Sequence, residues 1–273
     1  MPASQTLLNE IQLLFPQLPA ELVQVYADAY VEYGDADLAL SSMRAAPAYD
    51  TYFAGNRRTD GTLRYTETDY ATYHDRFRYA LMSVNVNPDL FENQFGALIA
   101  GDVSINEFEA RVDTVYERVI DRAPEIRQEL EQYYGFGLTD SAIIASAIDP
   151  NIGNQILERR ISVAEIGAEA SLRGYGIDLG FAERIYGRGI DRSTAGETFA
   201  AAAEQVPILD VLARRHADPN DNFSLEDFTA ASLFDDPFER RRIRRLLAQE
   251  KSLFSGSTGF VTEGRQVTGL LPV

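Results

Sequence analysis

Apolar residues recur at helical spacing along almost the whole chain, and this pattern limits the fold more than any other feature. Between Gln5 and Leu14, leucine and isoleucine stand three or four residues apart, as they do on one face of a helix. No segment shows a convincing alternating strand pattern followed by a hairpin turn. The sequence therefore predicts an all-α fold, a compact array of about a dozen or more short helices.

Glycine, proline and capping residues divide the pattern into separate helices. The expected helices cover residues 5–14, 19–33, 35–43, 47–52, 70–84, 88–98, 104–121, 124–134, 139–148, 152–158, 162–173, 177–187, 195–216, 224–233 and 237–254. A hydroxyl residue followed three positions later by an acid is typical of a helix start. Four such pairs occur: Thr66–Asp69, Ser104–Glu107, Ser162–Glu165 and Ser224–Asp227.

The composition changes after residue 254. From 255 to 273 the chain is rich in glycine, serine and threonine and ends in an apolar stretch. We expect residues 1–254 to form a helical domain, with a subdivision near 85–103 or 135–150 as an option. We expect residues 255–273 to form an extended tail held by a partner chain, with Phe260, Leu270 and Leu271 as contact residues.

The composition argues against most kinds of catalysis. There is no cysteine, which excludes disulfides, thiolate chemistry and iron–sulfur clusters. Only two histidines occur, His74 and His216, far apart in the sequence. Acidic pairs such as Asp235 and Asp236 are expected by chance among 42 acids. An enzyme with a glycosidase-type site therefore ranks third, after a structural protein and a regulatory or scaffold-binding module. The sequence predicts a protein without a cofactor that is not an enzyme.

A run of arginines stands out against a net charge of −17, which opposes nonspecific binding to nucleic acid or anionic lipid. The run lies on the last expected helix, and its members are Arg240, Arg241, Arg242, Arg244 and Arg245. Arginine forms fixed bidentate contacts with carboxylates. We expect these residues to bind acidic surface of the same or a neighbouring subunit. A nucleic-acid patch and a solvated face remain open as alternatives.

Tyrosine and phenylalanine are numerous, 14 and 15, with no tryptophan. Many crowd the first 80 residues: Tyr26, Tyr30, Tyr33, Tyr49, Tyr52, Phe53, Tyr65, Tyr70, Tyr73, Phe77 and Tyr79. Tyrosine is favoured where one end is packed and the other is wet, as at an interface. An ordinary core with tyrosines at its edge explains the pattern equally well.

Residues 56–67 resemble a degenerate calcium-binding loop, with Asp60 and Glu67 at two ligand positions. Arg58, however, would place a cation among the ligands. Asp218 begins a second incomplete loop that lacks the glycine and the final glutamate. We therefore predict no metal site. The alternative to a structural protein is a helical regulatory or scaffold-binding module with weak calcium sites.

Nothing in the sequence suggests targeting to a membrane. The first residues lack a basic segment followed by an apolar run. No stretch approaches the roughly 20 apolar residues that a spanning helix needs. These features predict synthesis in the cytoplasm and no membrane segment.

Three stretches resemble segments of virion proteins of tailed bacteriophages: Phe15–Tyr30, Ala48–Arg64, and Leu212–Pro219 continued by Arg242–Leu246. Similar segments occur in tail tape-measure proteins and in related tail and head–tail proteins. The resemblance implies a non-enzymatic structural component of the virion, made in the host cytoplasm, whose partners are other virion subunits in a homo- or hetero-oligomer. It carries no catalytic motif. A tape-measure protein is usually far longer, so this chain resembles a separate tail or head–tail component, or a free-standing equivalent of one tape-measure segment.

Overall fold

The computed structural model describes residues 3–216 and 220–255, and within them the prediction of an all-α fold is confirmed. These residues form fourteen α-helices and no strand, apart from an isolated bridge between Arg57 and Leu63. None of the helices in this part of the chain is long and apolar enough to cross a membrane. The tail from residue 256 onward, with Phe260, Leu270 and Leu271, lies outside the described residues, as does Asp218.

The helices are α1 (Gln5–Leu14), α2 (Ala20–Tyr33), α3 (Ala36–Ala45), α4 (Pro47–Tyr52), α5 (Glu67–Ser83), α6 (Glu92–Ala100), α7 (Ile105–Val115), α8 (Pro124–Tyr134), α9 (Asp140–Ala147), α10 (Asn154–Ser171), α11 (Leu179–Gly187), α12 (Arg192–His216), α13 (Leu225–Ser232) and α14 (Pro237–Ser255). A 3₁₀ turn at Pro88–Leu90 precedes α6, and a π-helical turn at Tyr116–Ile120 continues α7. The chain divides into two compact units, Met1–Ala168 and Glu169–Val273.

Aromatic rings build the core of the first unit. Tyr70, Tyr73 and Phe77 of α5 are buried, and each packs against Phe95 of α6 with ring centroids 5.0 to 5.4 Å apart. Phe77 also meets Phe108 of α7 at 4.9 Å. Burying one such ring contributes about 1.5–3 kcal/mol relative to leaving it exposed. The aromatic residues of α5 are therefore largely core.

Other aromatic residues of the first 80 remain at the surface. Tyr49 and Phe53 are buried, whereas Tyr30, Tyr33, Tyr52 and Tyr79 are exposed. Tyr26 and Tyr65 are partly buried against this core. The aromatic-rich region is therefore divided between core and surface, and a role of the exposed tyrosines at an interface stays a prediction.

In the second unit, α12, α13 and α14 pack pairwise against one another. The buried core of this unit includes Phe199, Phe223 and Phe228. From the arginine-rich helix α14, Leu246 is also buried. The other residues of α14 up to residue 252 are exposed or partly buried, among them the apolar Phe238, Ile243 and Leu247.

Three of the four expected helix starts are confirmed. The side chains of Thr66, Ser104 and Ser224 each accept a hydrogen bond from the backbone N–H three residues later, and Ser224 with Asp227 forms a full capping box. The start at Ser162 is wrong, because α10 runs without interruption from Asn154 to Ser171. There the hydroxyl of Ser162 instead accepts a hydrogen bond from Arg118, at 2.9 Å.

Candidate functional site: the arginine face of α14

The start of α14 is fixed by its sequence. Asp236 caps the helix, since its carboxylate accepts from the backbone N–H groups of Phe238 at 2.7 Å and Glu239 at 3.3 Å. Pro237 follows at the first helical position, where its missing N–H removes no helical hydrogen bond. The arginine run then begins within the first turn of the helix.

Arg242 is taken up inside the second unit. Its guanidinium donates to Asp221 at 2.6 Å, to Asp227 at 3.2 Å and to Glu239 at 3.3 Å, and its side chain is 19% exposed. It also lies 5.1 Å from the ring centre of Phe223. Burial opposes its charge, but these carboxylates outweigh that effect and raise the pKa of Arg242. This arginine anchors α14 to the chain around it.

Glu239 responds to the same crowding of acids. Burial and the negative charge of Asp227 raise the pKa of the Glu239 carboxyl, against the opposing effect of Arg242. Arg240 is also engaged, since it pairs with Asp235 and donates to the carbonyl oxygen of Ala231 at 2.8 Å. Two of the five arginines predicted as contact residues, Arg240 and Arg242, therefore make internal ion pairs.

The other three arginines form what we call the arginine face: Arg241, Arg244 and Arg245. All three are exposed, and none makes an ion pair with any described residue. Arg241 donates only to the backbone carbonyl of Pro237, at 2.9 Å. The single lysine of the chain, Lys251, is exposed two helical turns beyond Arg244. This part of α14 thus carries positive charge that the described residues leave unpaired.

A cleft of about 760 Å³ adjoins this face. One wall is α14, with Phe238, Arg241 and Arg245, and the other includes Asp221 and His216. Phe238 is 63% exposed, which is unusual for a phenylalanine on a charged helix. The cleft therefore combines free guanidinium groups with an exposed aromatic ring.

The acid beyond the cleft, Glu250, is already satisfied. It accepts from Nε2 of His216 at 2.9 Å and pairs with Arg215 at 3.0 Å. The hydrogen bond from His216, followed by those from Arg215, holds the pKa of Glu250 below its usual range. Glu250 is therefore already paired with His216 and Arg215, and it does not neutralise the arginine face.

The two calcium-ligand candidates that are described serve other purposes. Asp60 accepts from the backbone N–H of Thr62 at 2.9 Å and from its hydroxyl at 2.7 Å. Glu67 accepts from Arg44 and from the hydroxyl of Tyr49, both at 2.7 Å. Within the described ranges, no group of three or more His, Cys, Asp or Glu residues could hold a metal ion.

The loop around Asp60 is organised by the buried side-chain amide of Asn56, the first residue of the stretch that resembles a calcium-binding loop. The side chain of Asn56 is fully buried, donates to the carbonyl of Tyr65 at 3.0 Å and accepts from its N–H at 2.8 Å. In the calcium-loop interpretation Asn56 held the first ligand position. Its amide is instead spent on closing the loop.

Sequence reasoning missed the acids that select among the arginines. Asp221 lies in a loop twenty-one residues before Arg242, and no periodic pattern links the two. Phe238 was also missed, although an aromatic residue beside Pro237 at a helix start was a visible signal. Exposed guanidinium groups beside an aromatic ring suit carboxylate or phosphate ligands.

Comparisons with known protein families, curated proteins and solved structures give no match to this chain.

Proposed function

We propose that the protein is a non-enzymatic structural component that acts through contacts with other protein subunits, and that the arginine face is one of those contacts. A contrast in pairing carries this proposal. Most described arginines outside α14 make an intramolecular ion pair. The three of the arginine face do not, although the chain holds an excess of acids.

The chemistry of the face favours an acidic protein surface as partner. A net charge of −17 weakens the approach of nucleic acid to the molecule as a whole. The same charge makes a second copy of this chain an electrostatically suitable partner, because its surface is mostly acidic. A basic face that meets a different, acidic surface gives a head-to-tail contact, which closes into a ring or extends into a filament.

The setting that we propose is the tail or head–tail region of a tailed-phage virion. The resemblance of residues 15–30, 48–64 and 212–246 to phage virion proteins supports it. An assembly of many subunits also suits a chain that exposes specific unpaired charge instead of covering it.

Removing the arginine face tests the proposal. In the variant Arg241→Gln, Arg244→Gln, Arg245→Gln, we expect self-association at low salt to weaken by at least tenfold, with the helical circular dichroism unchanged. Wild-type assembly should also fall toward ~1 M salt, where the Debye length is about 3 Å. Light scattering coupled to size-exclusion chromatography measures both effects.

The matched control is Arg58→Gln, Arg122→Gln, Arg184→Gln, which removes the same charge from exposed positions elsewhere. Arg242 is left intact because its loss would strand the carboxylates around it. Equal association of the two triple variants would contradict a role for the arginine face. A wild-type chain that stays monomeric at high concentration and low salt would rule out assembly with itself.

A further inference from the structure

The first unit contains a cleft that the arginine face does not explain. Its volume is about 410 Å³, within the range of small-molecule sites. It lies where the end of α4 meets α5 and α6, and Gln17 also lines it. The cleft is large enough for the planar head of one side chain or for a small organic molecule.

Aromatic rings form much of its lining. Tyr52, Phe53, Tyr70, His74 and Phe95 all border it. The rings are held edge to face: Phe53 to Tyr70 at 5.1 Å, Tyr70 to Phe95 at 5.2 Å and His74 to Phe95 at 4.8 Å. The faces of such rings carry partial negative charge and attract cations.

Tyr52 is the exposed ring among those that line the cleft. It is 42% exposed, while Phe53 beside it is buried. Its hydroxyl donates to the backbone carbonyl of Gln17, which fixes the ring in place. A half-exposed but immobilised tyrosine ring offers a stacking surface without the entropic cost of ordering it.

Two carboxylates border the same cleft, and they differ in their state. Glu92 is shared between His74, at 2.8 Å, and Arg78. Asp75 is exposed and makes no hydrogen bond or ion pair within the described residues. Burial, followed by the negative charge of Asp75, raises the pKa of Tyr52, so this free carboxylate acts on the exposed ring.

We propose that this cleft binds a guanidinium group. A guanidinium is planar, stacks on aromatic faces and donates in pairs to one carboxylate, so Tyr52 and Asp75 together match it. An anion would meet Asp75 and the ring faces, and both repel it. The group can come from a small molecule or from an arginine side chain of another protein, such as the arginine face of a second copy.

Titration of the full chain with arginine methyl ester tests the site, followed by nuclear magnetic resonance of the aromatic side chains. We expect saturable shifts at Tyr52, Tyr70 and His74 with a dissociation constant at or below the millimolar range, about 4 kcal/mol of binding. Citrulline methyl ester, which has the same shape without the guanidinium charge, should bind at least tenfold more weakly.

Asp75→Asn should weaken binding of the arginine ester by about five- to tenfold, and Tyr52→Leu by a similar factor, with melting temperatures close to that of the wild type. Asp113→Asn removes one exposed acid from outside the cleft and should leave binding unchanged. Equal binding of the two esters, or equal effects of Asp75→Asn and Asp113→Asn, would overturn the proposal.

Self-association distinguishes the two sources of the guanidinium. If a second copy supplies it, Asp75→Asn should weaken association as the triple variant of the arginine face does. If Asp75→Asn weakens only ester binding, the cleft stands and a second copy is not its occupant. Because the ester titration does not involve α14, the cleft and the proposed function can fail independently.

Discussion

The guanidinium of Arg111 is buried in the first unit, with 2% of the residue exposed. It donates to Glu107 at 2.5 Å and to the carbonyl of Asp149 at 3.1 Å, while its Nε atom has no partner. A buried charge that loses its counter-ion costs far more than an exposed pair contributes. The free energy lost on breaking this ion pair is therefore set mainly by the buried Arg111.

We predict that Glu107→Ala lowers the free energy of unfolding by about 3 kcal/mol or more, because it leaves Arg111 charged and unpaired. The double variant Glu107→Ala, Arg111→Met should recover most of that loss. Glu109→Ala in the same helix breaks the more exposed pair with Arg76 and should cost about 1 kcal/mol or less. Urea unfolding of the three variants measures these free energies. Equal losses for Glu107→Ala and Glu109→Ala would contradict a special role for the burial of Arg111.

Only part of this could be predicted from the sequence. Phe108, Val112 and Val115 mark the apolar face of α7, and Arg111 falls on that face by spacing alone. Its acceptor at Asp149 lies 38 residues away and follows no local rule. In the same way, the spacing along α14 could not show that Arg242 has three carboxylate partners.

At the scale of elements, the turn after α4 depends on a close approach of two backbones. Gly55 has a φ of +75°, and a side-chain carbon placed there would overlap the carbonyl oxygen of Gly96 in α6. Gly34, at the end of α2, has a similar φ of +65° but open space around it. Comparing substitutions at these two glycines therefore separates the free-energy cost of a strained backbone from the cost of a steric overlap.

We expect Gly34→Ala to cost about 1 kcal/mol, from conformational strain alone. Gly55→Ala should cost about 3 kcal/mol or more, since overpacking adds to the same strain. Thermal unfolding followed by circular dichroism gives both values. A melting temperature for Gly55→Ala that matches that of Gly34→Ala would show that the two backbones can separate without loss.

Helix positions were predicted well where local signals acted alone. Pro124 and Gly135 begin and end α8 as expected, because a fixed φ suits the first residue and a left-handed conformation suits the position after the last. The expected break near Ser162 was wrong. Ile161, Val163 and Ala164 are all buried, so packing on several sides keeps α10 continuous through a local start signal.

For the molecule as a whole, carboxylates held by arginines set the response to acid. In the first unit Glu67 accepts from Arg44 and Tyr49, and in the second Glu169 accepts from Arg173 at 2.6 Å and Arg192 at 2.7 Å. Burial opposes the ionisation of both acids, but these hydrogen bonds outweigh it and hold each pKa below its usual range. Their contribution is therefore complete above the unfolded pKa and is lost as the pH falls through the folded pKa.

We predict that Glu67→Gln lowers the free energy of unfolding by about 2 kcal/mol at neutral pH. The difference from the wild type should narrow below about pH 4, where the unfolded carboxyl of the wild type becomes protonated. Denaturant titrations across this range measure it, with Asp113→Asn as an exposed control. A difference that stays constant down to pH 3 would show that charge is not the source of the effect.

The all-α class could be predicted from periodicity, because a helix that buries one face carries apolar residues at helical spacing in its own sequence. The aromatic cleft of the first unit could not be predicted, since its lining comes from Gln17, α4, α5 and α6 and depends on how these segments meet. The tyrosines that surround it were noticed as a group. Their division into core and surface required tertiary positions.

The attachment of Arg242 to Asp221, Asp227 and Glu239 has a consequence for the whole arginine run. An α-helix turns by about 100° per residue, so consecutive arginines project in quite different directions. The contacts of Arg242 fix the rotation of α14 about its long axis. With this rotation, Arg241, Arg244 and Arg245 are exposed to solvent. The direction in which each arginine of the run projects is therefore fixed by Arg242. A single residue inserted into α14 would rotate the residues beyond it by about 100° and turn the exposed arginines in another direction.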